Sequence, residues 1–234
     1  MTDPKPMSLN RRRLLLGAGL AALPALASSR AFADDRQALV DRAKLTVDSM
    51  RDHPNFKQPI NDFLNRATGV FVMPNRLKAG FVVGAEGGAG LLLGREPDGT
   101  WSAPAFYSYG SGSVGLQIGI SWSEVLIIIL TTGGMERFLR DNVKLGVDAS
   151  IAVGPVGAGL SGASTLNLNA DMVAYARSEG LFAGGALEGT VISPSQDDND
   201  AYYGPGATPR AIVLERRFDA GATTPLRQAL GGIR

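Results

Sequence analysis

Several patterns in this 234-residue chain have residue types and spacings that could do chemistry. Gly110-Ser111-Gly112-Ser113-Val114-Gly115 has the G-x-G-x-x-G spacing of a dinucleotide turn, where glycines let a pyrophosphate reach the free N–H groups of a helix. Ser111, Ser113 and Ser161 are candidate nucleophiles, and His53 is the one histidine that could serve them as a base. Asp197, Asp198 and Asp200 set three carboxylates close together, a group that could attract calcium. Lys57, Arg66, Arg76 and Lys78 form a basic run in which Asp62 is the one acid between Pro54 and Ala85. Such cations could hold phosphate oxygens.

Context removes most of these. The residues after Gly115 alternate as a strand, and β-branched Ile118 and Ile120 with Gly119 argue against the helix a dinucleotide site requires. Gly87-Gly88-Ala89-Gly90 and Gly154–Gly159 lack the Lys-Ser/Thr that a phosphate-cradling loop needs. No G-x-S-x-G surrounds any serine, and His53 precedes Pro54 at a helix end. The three aspartates miss the EF-hand spacing and read as a solvated loop. With no cysteine there is no disulfide, thiol nucleophile or thiolate metal site. No catalytic constellation or cofactor is expected; a hydrolase with an unmarked carboxylate pair is the outside alternative.

The first 33 residues read as an address. Arg11, Arg12 and Arg13 precede the apolar stretch Leu14–Leu26, and Ala31-Phe32-Ala33 is a small-x-small cleavage site. Asn10-Arg11-Arg12-Arg13-Leu14-Leu15 fits the twin-arginine export pattern. An exported protein of the periplasm or cell envelope, cut after Ala33, is the expectation. The segment holds five of the 23 basic residues and one of the 22 acidic ones, so residues 34–234 have 18 and 21, a net −3. That balance gives no global reason to seek nucleic acid.

The remainder reads as one domain. Hydrophobic residues at 44% can build a core, and 30 glycines favour bulges and close strand approaches over long helices. Leu39, Ala43, Val47 and Met50 mark a helix over Asp35–Asp52, and Ile60–Ala67 a second. Strands are expected at Gly69–Pro74, Ala79–Gly84 and Leu116–Trp122. Leu91–Arg95 and Thr100–Ala103 would be hairpin arms around Pro97-Asp98-Gly99. Val125–Thr132 is a continuously apolar run and so a buried strand. Gly134–Asn142 holds a short helix with Met135, Phe138 and Leu139 inward and Glu136, Arg137 and Arg140 outward. Further strands are expected at Lys144–Val153, Ala170–Arg177 and Gly180–Ile192, and a loop at Gln196–Asp200. Helices, many strands, an inserted helix and more strands make an α+β fold without strand–helix alternation.

Ordered blocks carry a further likeness. Lys78-Ala79-Gly80-Phe81, Gly87-Gly88-Ala89-Gly90, Asp98-Gly99-Thr100-Trp101-Ser102-Ala103-Pro104 and Asn142-Val143-Lys144-Leu145-Gly146 are among them. Tyr175–Gly184, Leu187-Glu188-Gly189-Thr190 and Tyr202-Tyr203-Gly204 follow. From about Ala43 to about Leu214 the chain resembles the SYLF lipid-binding domain family, here as a bacterial exported member. The resemblance implies a strongly curved, mostly antiparallel sheet or barrel-like core with N-terminal helices and one inserted short helix. It also implies a non-enzymatic protein whose partner is an anionic phospholipid or membrane surface. The family's lipid contact is ascribed to a basic N-terminal region, but Asp34–His53 has four basic and five acidic residues. The denser set Lys57, Arg66, Arg76 and Lys78 is therefore the expected lipid-binding face. The alternative is an envelope scaffold that binds an unidentified protein partner. Trp101 and Trp122 read as core anchors; an exposed Trp101 beside Phe106 and Tyr107 would instead favour an interfacial role.

Overall fold

A strand holding Val125–Ile129 has no polar side and needs cover on both faces. The computed structural model provides it. It describes residues 22–80, 83–114, 119–140, 142–154, 170–178, 187 and 189–231, apart from the side chains of 22–34, 75–86, 112–123, 153 and 178. Eight strands form one sheet in the order β5-β8-β3-β2-β1-β4-β7-β6. They are β1 (Gly69–Gly80), β2 (Val83–Gly94), β3 (Ala105–Val114), β4 (Gly119–Ile129), β5 (Val143–Lys144), β6 (Ile151–Val153), β7 (Met172–Ser178) and β8 (Val191–Pro194). Every pairing is antiparallel except β6 with β7.

Period-two alternation sorts each central strand onto two cores. Val70, Val72, Leu91, Leu93, Leu126 and Ile128 face helices α1 (Ala22–Asp52), α2 (Lys57–Leu64) and α6 (Thr224–Ala229). Phe71, Met73, Leu92, Val125, Ile127 and Ile129 face α3 (Thr132–Phe138), α5 (Pro209–Val213) and the segment around β5. On α1, Leu39, Val40, Ala43, Val47 and Met50 are all buried, as their spacing predicts.

Curvature follows from connectivity. Seven steps between eight strands, at about 4.8 Å each, would set the edge strands roughly 34 Å apart in a flat sheet. Yet β5 and β6 are those edges, and only Leu145–Ser150 joins them through a tight turn in which Leu145 bridges Ala149. The sheet therefore curls into a half-barrel. It curls toward the α3 face, because Val143, Leu145 and Ala149 pack with Phe71 and Ile127 from the central strands.

A glycine makes room inside that curl. A Cβ on Gly90 would lie 2.5 Å from Phe71 Cζ and 3.0 Å from the Val72 carbonyl oxygen. The vacancy lets the Phe71 ring reach Tyr107, 5.7 Å away edge-on, and Phe138, 5.2 Å away. The Tyr107 hydroxyl donates to the Phe138 carbonyl oxygen at 2.7 Å, which ties the end of α3 to β3. Burial pushes the Tyr107 phenol far up, so it stays a neutral donor.

Asp171 fixes the other end of α3. Its carboxylate accepts from Thr131 Oγ1 at 2.8 Å, Arg137 Nη1 at 2.8 Å, Ser150 Oγ at 3.0 Å and the Ser150 N–H at 3.2 Å. Thr131 in turn accepts the Gly134 N–H as N-cap. Burial alone would raise the Asp171 pKa, but the hydrogen bonds from Thr131 and Ser150 and the Arg137 charge outweigh it and lower the value.

Several expectations are corrected. Gln196–Asp200 is not a loop: it opens α4 (Gln196–Tyr203), with Asp197 and Asp198 in the first turn where the helix dipole favours negative charge. Asp198 accepts from Ser195 Oγ at 2.6 Å and pairs with Arg36 at 2.8 Å. The turn buries Asn199, whose carboxamide accepts the Phe106 N–H and donates to the Phe106 carbonyl oxygen, standing in for a strand partner. Lys144–Val153 is two short strands around a turn, because Asp148 accepts the Lys144 N–H and Gly146 takes φ 79°. The hairpin around Pro97-Asp98-Gly99 forms but is shorter than expected. The Glu96 N–H donates to the Thr100 carbonyl oxygen and the Ser102 N–H to that of Gly94, around the Arg95–Trp101 bridge, before β3 takes over the pairing with β2. Arg216, at φ 51°, donates to the Thr100 hydroxyl and carbonyl, both at 3.0 Å, and closes that turn from the C-terminal side. Helix α1 begins earlier than Asp35 and runs unbroken through Ala33. β1, β2 and β4 are each longer than the segments read from sequence, and Leu116–Ile118 lies outside the described residues, as do Arg11–Arg13 and most of Gly180–Ile192.

Two outcomes test this account. Gly90→Ala is expected to cost about 1–3 kcal/mol in chemical denaturation, since the Phe71 ring has no free direction to yield. Gly87→Ala is the control: among the described residues its Cβ would meet only the Tyr109 carbonyl oxygen, at an ordinary 3.4 Å, and stability should hold. Asp171→Asn is expected to lose about 1–2 kcal/mol at neutral pH. Because the folded pKa is depressed, that difference should be complete above the ordinary value of 3.8 and vanish as pH falls through the lower folded value. A deficit of equal size at pH 2 and pH 7 would remove the charge from the explanation.

Candidate functional site

Arg36, Lys44 and Arg51 on α1 each have a partner within the protein. Arg36 pairs with Asp198, Lys44 with Asp48 one helical turn on, and Arg51 donates to Asn61 Oδ1 at 2.9 Å and to the Ala229 carbonyl oxygen. Thr46, buried, donates to Glu124 on β4, and Arg177 on β7 approaches the same carboxylate at 3.6 Å. These contacts fix the helix on the sheet.

Lys57 and Arg66 differ. Lys57 is the first residue of α2, and Arg66 lies just past its C-cap Asn65; both are exposed. Neither has an ion pair among the described residues. The Arg66 guanidinium lies 5.0 Å from the Phe63 ring centroid, a cation–π contact that supports the side chain while its charge faces outward. Ile60, Phe63 and Leu64 bury the opposite side of α2 and hold it in place. Arg95, which the sequence reading passed over, donates to the Asn65 carbonyl oxygen at 3.2 Å and so stands beside Arg66.

Arg76 and Lys78 sit elsewhere. Both are on the far half of β1, where Arg76 stands opposite Ser123, and Lys78 between Ser121 and Glu86. The strand path from Gly69 to Arg76 is roughly 23 Å at about 3.3 Å per residue. The basic run that is continuous in sequence thus divides into one pair at α2 and another along β1, and the side chains of the second pair lie outside the described residues.

The other residues weighed from sequence find structural places. His53 stacks on Phe56 at 4.6 Å just after α1 ends. Gly110–Val114 belongs to β3 rather than to a turn before a helix. Trp101, Phe106 and Tyr107 are all buried, which places Trp101 in the core. Trp122 stands on β4 opposite Leu77. Among the described residues no group of His, Cys, Asp or Glu could hold a metal ion, and no described helix is long and apolar enough to cross a membrane.

What sequence reasoning missed is a polar notch on the α3 side, lined by Arg137, Arg140, Asn142 and Asp148. The spacing of Arg137 and Arg140, three apart on the outer side of a helix, is the one signal that could have drawn attention to it.

Comparison with known proteins agrees with the block pattern. A family model described as "Ysc84: Las17-binding protein actin regulator" matches residues 110–233. The chain is 39% identical over 139 residues to SH3 domain-containing YSC84-like protein 1 of Rattus norvegicus, covering 59% of this chain and 41% of that protein. It is 34% identical over 172 residues to the protein of the same name from Xenopus laevis, covering 73% and 51%. LAS seventeen-binding protein 3 of Saccharomyces cerevisiae is 32% identical over 172 residues, covering 72% and 37%. The chain therefore spans about half or less of the length of these curated relatives. With the family model matched over more than half of its residues, this chain belongs to the Ysc84, or SYLF, family.

Proposed function

We propose that this protein is a non-enzymatic binding module that associates peripherally with anionic phospholipid through Lys57, Arg66, Arg76 and Lys78. The observation that supports the reading most is the state of the α2 cations: Lys57 and Arg66 are exposed and have no ion pair among the described residues, while Arg36 and Lys44 on α1 are paired. Near an anionic surface each such cation contributes about 1 kcal/mol, falling off within a Debye length of about 8–10 Å. Lys57 and Arg66 would give weak, reversible and salt-sensitive attachment, to which Arg76, Lys78 and a few apolar groups entering the interface would add. The setting that goes with this reading is the cell envelope, reached through the export segment at residues 10–33.

A protein partner is the second reading, favoured by the comparisons. The matched family is described as Las17-binding and an actin regulator, and the relatives' names describe binding or SH3-containing proteins. Those names also support a role without catalysis.

Vesicle co-sedimentation of the full chain separates the two. With phosphatidylglycerol vesicles at low salt the chain should sediment above its phosphatidylcholine baseline, and moderate salt should reverse this. Lys57→Gln with Arg66→Gln, and separately Arg76→Gln with Lys78→Gln, should each weaken the anionic component severalfold. Indifference to lipid charge, to salt and to both variants would overturn the lipid reading and leave the protein partner, which co-sedimentation with filamentous actin then examines.

A further inference from the structure

The notch on the α3 side has properties that neither reading uses. It is a surface cleft of about 330 Å³, open to solvent along the exposed Arg140, Asn142 and Asp148, and at the small end of the roughly 300–1,000 Å³ typical of small-molecule sites. Three of its four side chains are held in place. Arg137 is fixed by Asp171 at 2.8 Å. Asn142 Oδ1 accepts from Ser193 Oγ at 2.6 Å, so the side-chain NH2 is the donor that remains. Asp148 accepts the Lys144 N–H at 2.7 Å.

Two of the notch's charges have no counter-ion among the described residues. Asp171 balances Arg137, but Arg140 has no ion pair among the described residues. Nor does Asp148, whose hydrogen bond is to a neutral backbone N–H. Both nevertheless line the same small volume without lying within 4.0 Å of each other as an ion pair. A cation and an anion held apart in one cleft match a molecule that has both charges. An anion alone would meet Asp148, and a cation alone would meet two guanidinium groups. Arg140, Asn142 and the remaining edge of Arg137 are all donors, so the anionic end must offer several acceptor oxygens.

We propose that this notch binds a phosphoryl–ammonium zwitterion of the phosphoethanolamine kind. Its phosphate oxygens sit on Arg140 and the Asn142 amide, and its primary ammonium donates to Asp148. The same chemistry comes free in solution or as the headgroup of a lipid. The site shares no residue with the α2 cations, and the inference does not depend on the anionic-lipid reading.

The test is a titration of the full chain, followed by amide NMR, with O-phosphoethanolamine, phosphocholine and inorganic phosphate as probes. Vesicle flotation with phosphatidylethanolamine in phosphatidylcholine, against phosphatidylcholine alone, forms the second arm. Saturable shifts at the Asn142 side-chain amide and at Lys144 are expected with phosphoethanolamine, and about fivefold weaker ones with phosphocholine, whose quaternary nitrogen has no N–H for Asp148. Arg140→Gln and Asp148→Asn should each weaken phosphoethanolamine by about fivefold, with the thermal midpoint confirming that the exposed Arg140→Gln variant stays folded. Flotation that requires phosphatidylethanolamine and fails in Arg140→Gln assigns the lipid headgroup as source; binding of the soluble probe without such flotation assigns the free molecule. Equal affinity for phosphate and phosphoethanolamine, unchanged by Asp148→Asn, would overturn the proposal, as would the absence of any response in both arms. Lys57→Gln with Arg66→Gln should leave the phosphoethanolamine response intact, so this proposal and the anionic-surface reading can fail separately.

Discussion

The short link between the two edge strands governs the rest of the molecule. Lys144 ends one edge and Ile151 begins the other, and the turn between them is locked by Asp148 on the Lys144 N–H and by Leu145 against Ala149. A flat eight-stranded sheet cannot meet that condition. Curling brings the inner side chains into competition for space, and a side-chain-free position at Gly90 is where the Phe71 ring fits. The outer face opens correspondingly and takes three helices. Packing on both sides thus follows from one connection of six residues.

That logic also explains what could be read in the sequence. Val125–Ile129 announced burial on both faces, and the period-four spacing of Leu39, Ala43 and Val47 announced the face of α1 that meets the sheet. Gly99 in its Pro-Asp-Gly setting announced a turn. Hidden from sequence were the features decided by distant partners. Ser195 and the acids after it look like solvated loop until Arg36 arrives from 162 residues away to meet Asp198. Thr100–Ala103 has the composition of a strand, but β3 has the better claim on β2. Of the candidate site, the residue types were legible and the grouping was not: Lys57 and Arg66 stay together at α2, while an extended strand takes Arg76 and Lys78 away.

Charge is distributed by the same economy of contacts. Most cations of the described surface are held by a specific acceptor: Arg36 by Asp198, Arg137 by Asp171, Arg210 by Glu136 and Arg227 by Asp219. Such pairs on a half-exposed surface add little stability individually, but they fix orientation. Lys57, Arg66, Arg140 and Lys144 depart from this pattern among the described residues; the first two lie at α2 on the outer face, the others past the end of α3 and on β5 on the inner one. The two faces of the curl therefore present different chemistry: isolated positive charge on one side and a bipolar cleft on the other.

The docking of α1 has a consequence for the order of events during synthesis. Gln37 reaches the Ala222 carbonyl oxygen and Arg51 the Ala229 carbonyl oxygen, and Leu226 and Leu230 close the core beneath the helix. Helix α1 therefore lacks part of its resting place until nearly 180 further residues have followed it. During that interval its buried side, Leu39 to Met50, is open to whatever binds apolar helices. Closure across such a span is entropically late, so the seat of α1 remains unfinished until α6 has been made. Any machinery that handles this protein before completion meets an amphipathic helix; machinery that handles it afterwards meets a sealed shell.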